Sequence, residues 1–428
     1  MSEAILFQRV TVVPGDGTPV READVEWRGG RWHFPVAGEA VGEGVRVVAG
    51  EGKVLLPGLF DLEAHLREPG REDAETVASG TAAAVNGGFT GLLMMPDTMP
   101  PVDNGGMVQS VMEVAARESR IPVVVAGCLS KQRAGEELAE IGGMAERGAV
   151  MITDAGEAVH NPLLLRRALQ YARDIGILVA TCGDVRELSA GGTMHEGGVS
   201  CSLGLPGLPA CAEEIGIARD IRLAQSCGSR VHVLQVTTAR GVETVRRHKR
   251  EGVAVTAGVA VHHLLFTDAD VGDYDTSFKV KPPLRPASDG EALLAGLVDG
   301  TLDVLVTAHA PRTAFEKECD FASAPFGMTG LETALPALHE RFVASGRLSW
   351  ETLVERFSAG PRRLLGLPVP VIAEGAVADA VLFDPGAETV VDREFLCSKS
   401  ANTPFLGKRL RGRVAMVMLG GEKLLERL

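Results

Sequence analysis

The chain lacks the marks of a disulfide or zinc-knuckle scaffold. Its seven cysteines (Cys128, Cys182, Cys201, Cys211, Cys227, Cys319 and Cys397) are odd in number, scattered, and form no CxxC pair. That usage fits reduced thiols in a cytosol. Positive charge is in deficit: 43 Lys and Arg stand against 56 Asp and Glu, a net charge of -13. Broad contact with nucleic-acid phosphates needs the opposite balance, so no nucleic-acid partner is expected. A protein partner stays open, because local patches can oppose the net sign. The opening residues show no basic segment followed by an apolar stretch, so no signal peptide is expected. No apolar run reaches the ~20 residues that a bilayer span needs. Internal repeats and low-complexity segments are also missing. These absences together predict a soluble, cytoplasmic protein without a membrane partner.

What remains is enough chain for a large fold. There are 428 residues, 45% of them hydrophobic, which suits a large barrel with a satellite domain. Both ends read as short strands. Ile5 to Val13 and Val20 to Trp27 flank the turn Pro14-Gly15-Asp16-Gly17. Ala380 to Phe383, Val414 to Leu419 and Glu422 to Leu425 lie at the other end. The two ends are expected to pair into one small β-sandwich domain, residues 1–57 plus 367–428. Between them, apolar strands ending near Asp61, Met95, Ala126, Thr153, Ala180, Val236, Ala257 and Thr307 alternate with helical stretches such as Thr76–Asn86 and Asn161–Asp174. Eight such strands predict an α/β fold, a (β/α)8 TIM-type barrel over residues 58–366. An open doubly wound sheet would place a glycine-rich phosphate turn after the first strand, and Gly58-Leu59-Phe60-Asp61 is not one.

A barrel of this kind carries its chemistry at the C-terminal ends of the strands. After strand one comes Asp61-Leu62-Glu63-Ala64-His65-Leu66-Arg67-Glu68-Pro69-Gly70. This resembles the dihydroorotase signature, an Asp followed by His-x-His and then x-Arg-x-Pro-Gly. Further segments follow in the family's order: Met95-Pro96-Asp97-Thr98, Gly192-Thr193-Met194-His195, His262-His263, Pro282-Pro283-Leu284-Arg285, His309-Ala310-Pro311 and Asn402-Thr403-Pro404-Phe405. The resemblance runs along about the whole chain and implies an amidohydrolase barrel of pyrimidine biosynthesis. Active members use one or two divalent metals, commonly zinc, to activate water on a cyclic amide. Such a metal lowers the pKa of its water and polarises the carbonyl.

The resemblance also locates what has been replaced. The first His of His-x-His is Glu63, and the second is kept as His65. The bridging ligand after strand four falls on Asp154. The His positions after strands five and six are Thr181 and Gln235, and the proton-accepting Asp after strand eight is Ala308. Neutral oxygens are poor zinc ligands beside imidazole or carboxylate. Hence no catalytic residue is expected at Ala308, and no cofactor beyond zinc at a weak residual site of Glu63, His65 and Asp154. On the substrate side, Arg67 matches the family's carboxylate-binding Arg, and Asp97 replaces an Asn that helps it. A second carboxylate there would repel the substrate's own. Lys281 and Arg312 stand where the family usually has Asn and His, and could attract an anion. His262-His263 is read as packing and loop hydrogen bonding, and Cys182 as core rather than nucleophile.

Three functions fit this pattern. The first is an inactive dihydroorotase-like scaffold for the aspartate transcarbamoylase catalytic chain, in a homo-oligomer or hetero-oligomer. The second is a metal-dependent cyclic amidohydrolase with an altered, mononuclear site. The third is a sensor that binds an anion through Arg67, Lys281 or Arg312 without turnover.

Overall fold

A computed structural model describes residues 4–36, 42 and 44–428. Eight parallel strands form the centre: β1 (Leu59–Ala64), β2 (Phe89–Met94), β3 (Val123–Gly127), β4 (Ala149–Ile152), β5 (Leu178–Thr181), β6 (Val231–Val233), β7 (Val255–Ala260) and β8 (Val304–Val306). Each pairs with its neighbour in chain order. The ring closes where Ala64 bridges His309 in parallel and the His65 amide donates to the His309 carbonyl at 2.9 Å. Strands covered on both faces need no polar alternation, so β1, β2 and β5 are buried along their whole length. This is the TIM-type barrel expected from the alternation of strands and helices.

Local signals explain the helices around it. The first runs Val77–Asn86 because Thr76 and Ser79 form a reciprocal capping box. Pro162–Ile175 starts on Asn161, whose side chain accepts from two backbone amides, and stops at Gly176 in the left-handed conformation. Its buried face, with Leu164, Leu165, Ala168, Leu169 and Ala172, joins the main apolar core. A second cluster, including Phe60, Leu62, Leu93, Ala126, Leu234 and Val306, binds the strands to one another and reaches Ala308.

The chain ends build one further sheet. Its strands run in the order Glu422–Glu426, Arg409–Leu419, Asp379–Val390, Val54–Pro57, Ala4–Val12, Arg21–Arg28 and Arg31–His33, with Val45–Ala49 pairing alongside Ala4–Val12. The antiparallel pairing of Val54–Pro57 with Asp379–Val390 joins the two ends of the sequence. Trp27, Trp32, Phe7 and Met416 form its own core. Among the described residues no helix is long and apolar enough to cross a membrane.

Candidate active-site pocket

A cavity of about 330 Å³ opens at the C-terminal ends of the strands. Glu63, His65, Arg67, Asp97, Gln235, Lys281, Ala308 and Arg312 all line it, so the barrel gathers most of the residues singled out in the sequence. Pairing of β1 with β2 slips between Asp61 and Ala64, a bulge of the kind that re-aims side chains at a strand end. Asp61 itself stays outside the pocket's chemistry. It accepts from the Thr307 amide at 2.9 Å and from the Thr307 hydroxyl, tying β1 to the end of β8.

Asp97 organises one wall. Its Oδ1 lies 2.6 Å from His65 Nδ1, and its Oδ2 accepts from Arg67 Nη1 at 2.6 Å. Burial opposes ionisation of Asp97, but the charges of His65 and Arg67 outweigh it and hold the carboxyl well below its usual range. Burial also lowers the His65 pKa, against the pull of Asp97. Arg67, matched in the sequence to a carboxylate-binding Arg, here meets the protein's own Asp97 carboxylate. Arg67 Nε also donates to the Pro311 carbonyl at 3.3 Å.

The opposite wall is uncharged in character. Gln235 Nε2 donates to Glu63 Oε1 at 2.8 Å. Burial, opposed by that bond, pushes the Glu63 pKa up to about 8. Glu63 Oε2, Gln235 Oε1 and His262 Nε2 are buried and have no hydrogen-bond partner. The His262 and His263 rings are tilted at 51° with centroids 4.3 Å apart, and burial with the neighbouring ring holds the His262 pKa well below its usual value. His263 Nε2 meets the Pro282 carbonyl at 3.0 Å, as loop hydrogen bonding requires.

Asp154 does not join them. Its Oδ1 accepts from the Leu129 and Ser130 amides at 2.9 Å each, and its Oδ2 accepts from the Ser130 hydroxyl. These bonds pin it to the loop after β3. No set of three His, Cys, Asp or Glu side chains among the described residues converges as a metal site. The residual site of Glu63, His65 and Asp154 suggested by the sequence is therefore not assembled, because each member is engaged by a different neighbour. Thr181 is buried at the end of β5 and brings only a hydroxyl. The donor chemistry does not fit the family's zinc centre.

Ala308 sits in a backbone conformation unusual for its residue type. Its φ is +48°, a left-handed backbone that alanine disfavours and Asp or Asn tolerates better. The cationic rim is only partly committed. Lys281 Nζ lies 3.6 Å from Glu157, and Arg312 donates from Nε to the Phe326 carbonyl at 3.0 Å. Burial, then the charge of Arg67, bring Arg312 down to about 10. Arg133 also faces the cavity and was not legible beforehand. It reaches in from the short turn after β3 and binds the Asp154 carbonyl at 3.0 Å. The run Ser130-Lys131-Gln132-Arg133 behind a strand end was the available signal. Cys182 borders a small side cavity beside Glu63, and burial raises its thiol to about 12, so it is no nucleophile at neutral pH.

Comparison with known proteins decides the family. Residues 52–240 match the family described as Dihydro-orotase-like. A protein of Pelotomaculum thermopropionicum named Dihydroorotase is 46% identical over 383 residues, covering 90% of each chain. One of Streptomyces coelicolor with the same name is 44% identical over 397 residues, covering 90% of this chain and 92% of the relative.

The chain belongs to the dihydroorotase family.

Among solved structures, L-hydantoinase from Arthrobacter aurescens superposes with a TM-score of 0.84 at 24% identity, covering 100% of this chain and 97% of the other. D-hydantoinase from Thermus sp. gives 0.82 at 21% identity, covering 99% and 95%. At that identity they speak to the fold alone, and the fold agrees. In this dihydroorotase-family chain the pocket brings Glu63, His65 and Arg67 together and leaves Asp154 on the loop at Leu129 and Ser130.

Proposed function

We propose that this dihydroorotase-family chain serves pyrimidine synthesis in the cytosol without metal-assisted hydrolysis of its own, as a structural partner of the aspartate transcarbamoylase catalytic chain. The observation that carries the metal-free half is the dispersal of the three surviving candidate ligands: Glu63 on Gln235, His65 on Asp97, and Asp154 on the loop at Leu129 and Ser130. Water activation needs a metal with an open position and a base for the water's proton. Ala308 supplies no base, and Asp97 is already held by the Arg67 guanidinium and the His65 ring. A frame retained around such a pocket fits selection on surfaces rather than on turnover.

A second reading has its own support. Relatives 46% and 44% identical are named Dihydroorotase, which favours a cyclic amidohydrolase with an altered site. Three measurements separate the two. Purified protein is dialysed against zinc and its metal content measured, turnover of dihydroorotate is assayed with zinc and with manganese, and the chain is sized with and without aspartate transcarbamoylase. The scaffold reading expects co-elution, no turnover and no stoichiometric metal. One zinc per chain that disappears in His65→Ala, together with turnover, would establish the second reading. Separate elution at micromolar concentration would remove the partner.

A further inference from the structure

We infer that the barrel carries a second ligand site at its opposite end, a cationic cavity that takes a small organic phosphate.

Strand polarity gives the position. Leu178, Val231 and Val255 are the first residues of β5, β6 and β7, and Asp303 immediately precedes β8. All four line a cavity of about 440 Å³. Leu364, from the helix Gly360–Leu364, lines it too and packs on the interior cluster of the barrel. The chemistry of such barrels sits at the other strand ends, so catalysis does not account for a cavity here.

Its charge runs against a chain of net charge -13. Three arginines, Arg230, Arg356 and Arg363, line it with two carboxylates, Asp303 and Glu355. Both carboxylates are already engaged. Asp303 accepts from Lys249 Nζ at 2.7 Å on each oxygen, and from the Ala257 amide at 2.7 Å. Glu355 is bonded by Arg363 and lies 3.9 Å from Arg356 Nη1. With Lys249 counted, four positive side chains meet two negative ones, a surplus of two. Among the described residues Arg230 has no carboxylate partner, and its Nη2 donates to the Gly176 carbonyl at 3.1 Å. Arg356 Nε donates to the Leu297 carbonyl at 3.1 Å. A guanidinium has five N–H donors in a planar fork, so each arginine keeps donors that suit phosphate oxygens.

A surplus of two positive charges matches a phosphate monoester, which is doubly negative, better than a single carboxylate. Leu178, Val231, Ala254, Val255 and Leu364 make the rest of the wall largely apolar. The volume lies in the range of about 300–1,000 Å³ of small-molecule sites. The ligand is therefore a phosphate on a partly apolar organic body. This holds whether or not the pocket at Glu63 turns over a substrate.

Phenyl phosphate is the probe, titrated into the full chain by calorimetry at pH 8. Inorganic phosphate has the charge without the ring, and benzenesulfonate has the ring with one charge. Phenyl phosphate should bind about tenfold or more tightly than either, the size of one charge-assisted hydrogen bond or one buried apolar group. Arg230→Gln and Arg363→Gln, both at exposed positions, should each weaken it about tenfold. Lys281→Gln, among the cations of the other pocket, should leave it unchanged. Arginines that serve only to cap helix ends, as Arg230 does at Gly176, would give a different result. Arg230→Gln would then lower the melting temperature and leave phenyl phosphate affinity as it was, which overturns the site. Loss of binding in Lys281→Gln, equal affinity for phenyl phosphate and either control, or no binding at all overturns it as well.

Discussion

Replacing Glu63 by Gln should make the protein more stable, and increasingly so as the pH rises. Burial carries this carboxyl from 4.5 to about 8. The folded chain therefore keeps a proton that the unfolded chain has already released. Stability contributed by the protonated form is complete below about pH 4.5 and is lost progressively as the pH rises through about 8. Each tenfold change in proton affinity is worth about 1.4 kcal/mol, so the ceiling is about 5 kcal/mol. Relaxation and water entry reduce it, and about 3 kcal/mol at pH 9 is the expected difference. The substituted amide would keep the hydrogen bond from Gln235 Nε2 and carry no titrating proton. Urea unfolding followed by circular dichroism, in chelator at pH 5, 7 and 9, makes the measurement. Near pH 5 the two proteins should differ little, and at pH 9 Glu63→Gln should be the more stable. A difference that stays constant across this range would refute the burial argument. A variant less stable than wild type at pH 9 would mean that Glu63 is a stabilised carboxylate, as beside a bound cation.

Other perturbations test the neighbouring claims. Ala308→Gly should stabilise the fold by about 1 kcal/mol in melting experiments, since glycine accepts a φ of +48° that alanine resists. Ala308→Asp should recover no dihydroorotate turnover, because Thr181 and Gln235 would still occupy the ligand positions; activity in that single variant would overturn the account of the site. Asp97→Asn should cost about 3 kcal/mol in urea unfolding, as the buried Arg67 guanidinium loses its carboxylate. The same variant should bind succinate more tightly in calorimetry, because a carboxylate facing the anion is gone. Arg285→Met should also lower stability by about 3 kcal/mol, since Arg285 is buried on Glu213 and the Leu208 carbonyl.

The barrel was legible because its signals are local. Apolar strands alternating with capped helices repeat along the chain, and covering a parallel sheet on both faces keeps those strands mostly apolar. The end strands were visible for the same reason, and the antiparallel pairing between Val54–Pro57 and Asp379–Val390 joins them. The ordered motifs from Asp61 to Phe405 made the family readable, and the resemblance pointed to Glu63, Thr181, Gln235 and Ala308 as departures from its pattern, with His65 kept.

The partners of those positions were decided only in three dimensions. Nothing in the chain order sets Asp97 against both His65 and Arg67, turns Asp154 towards Ser130, or brings Arg133 to the rim. Those contacts cross from one strand end to another, and they depend on loop paths and backbone dihedrals that no periodicity encodes. The sequence by itself determined the barrel, the family and the strand ends at which polar side chains would gather. The tertiary structure decided which partner each side chain took: Asp97 between Arg67 and His65, Asp154 on the loop at Ser130, and Glu63 on Gln235. The reason is that a buried polar side chain takes the nearest partner that folding presents, whatever its earlier role.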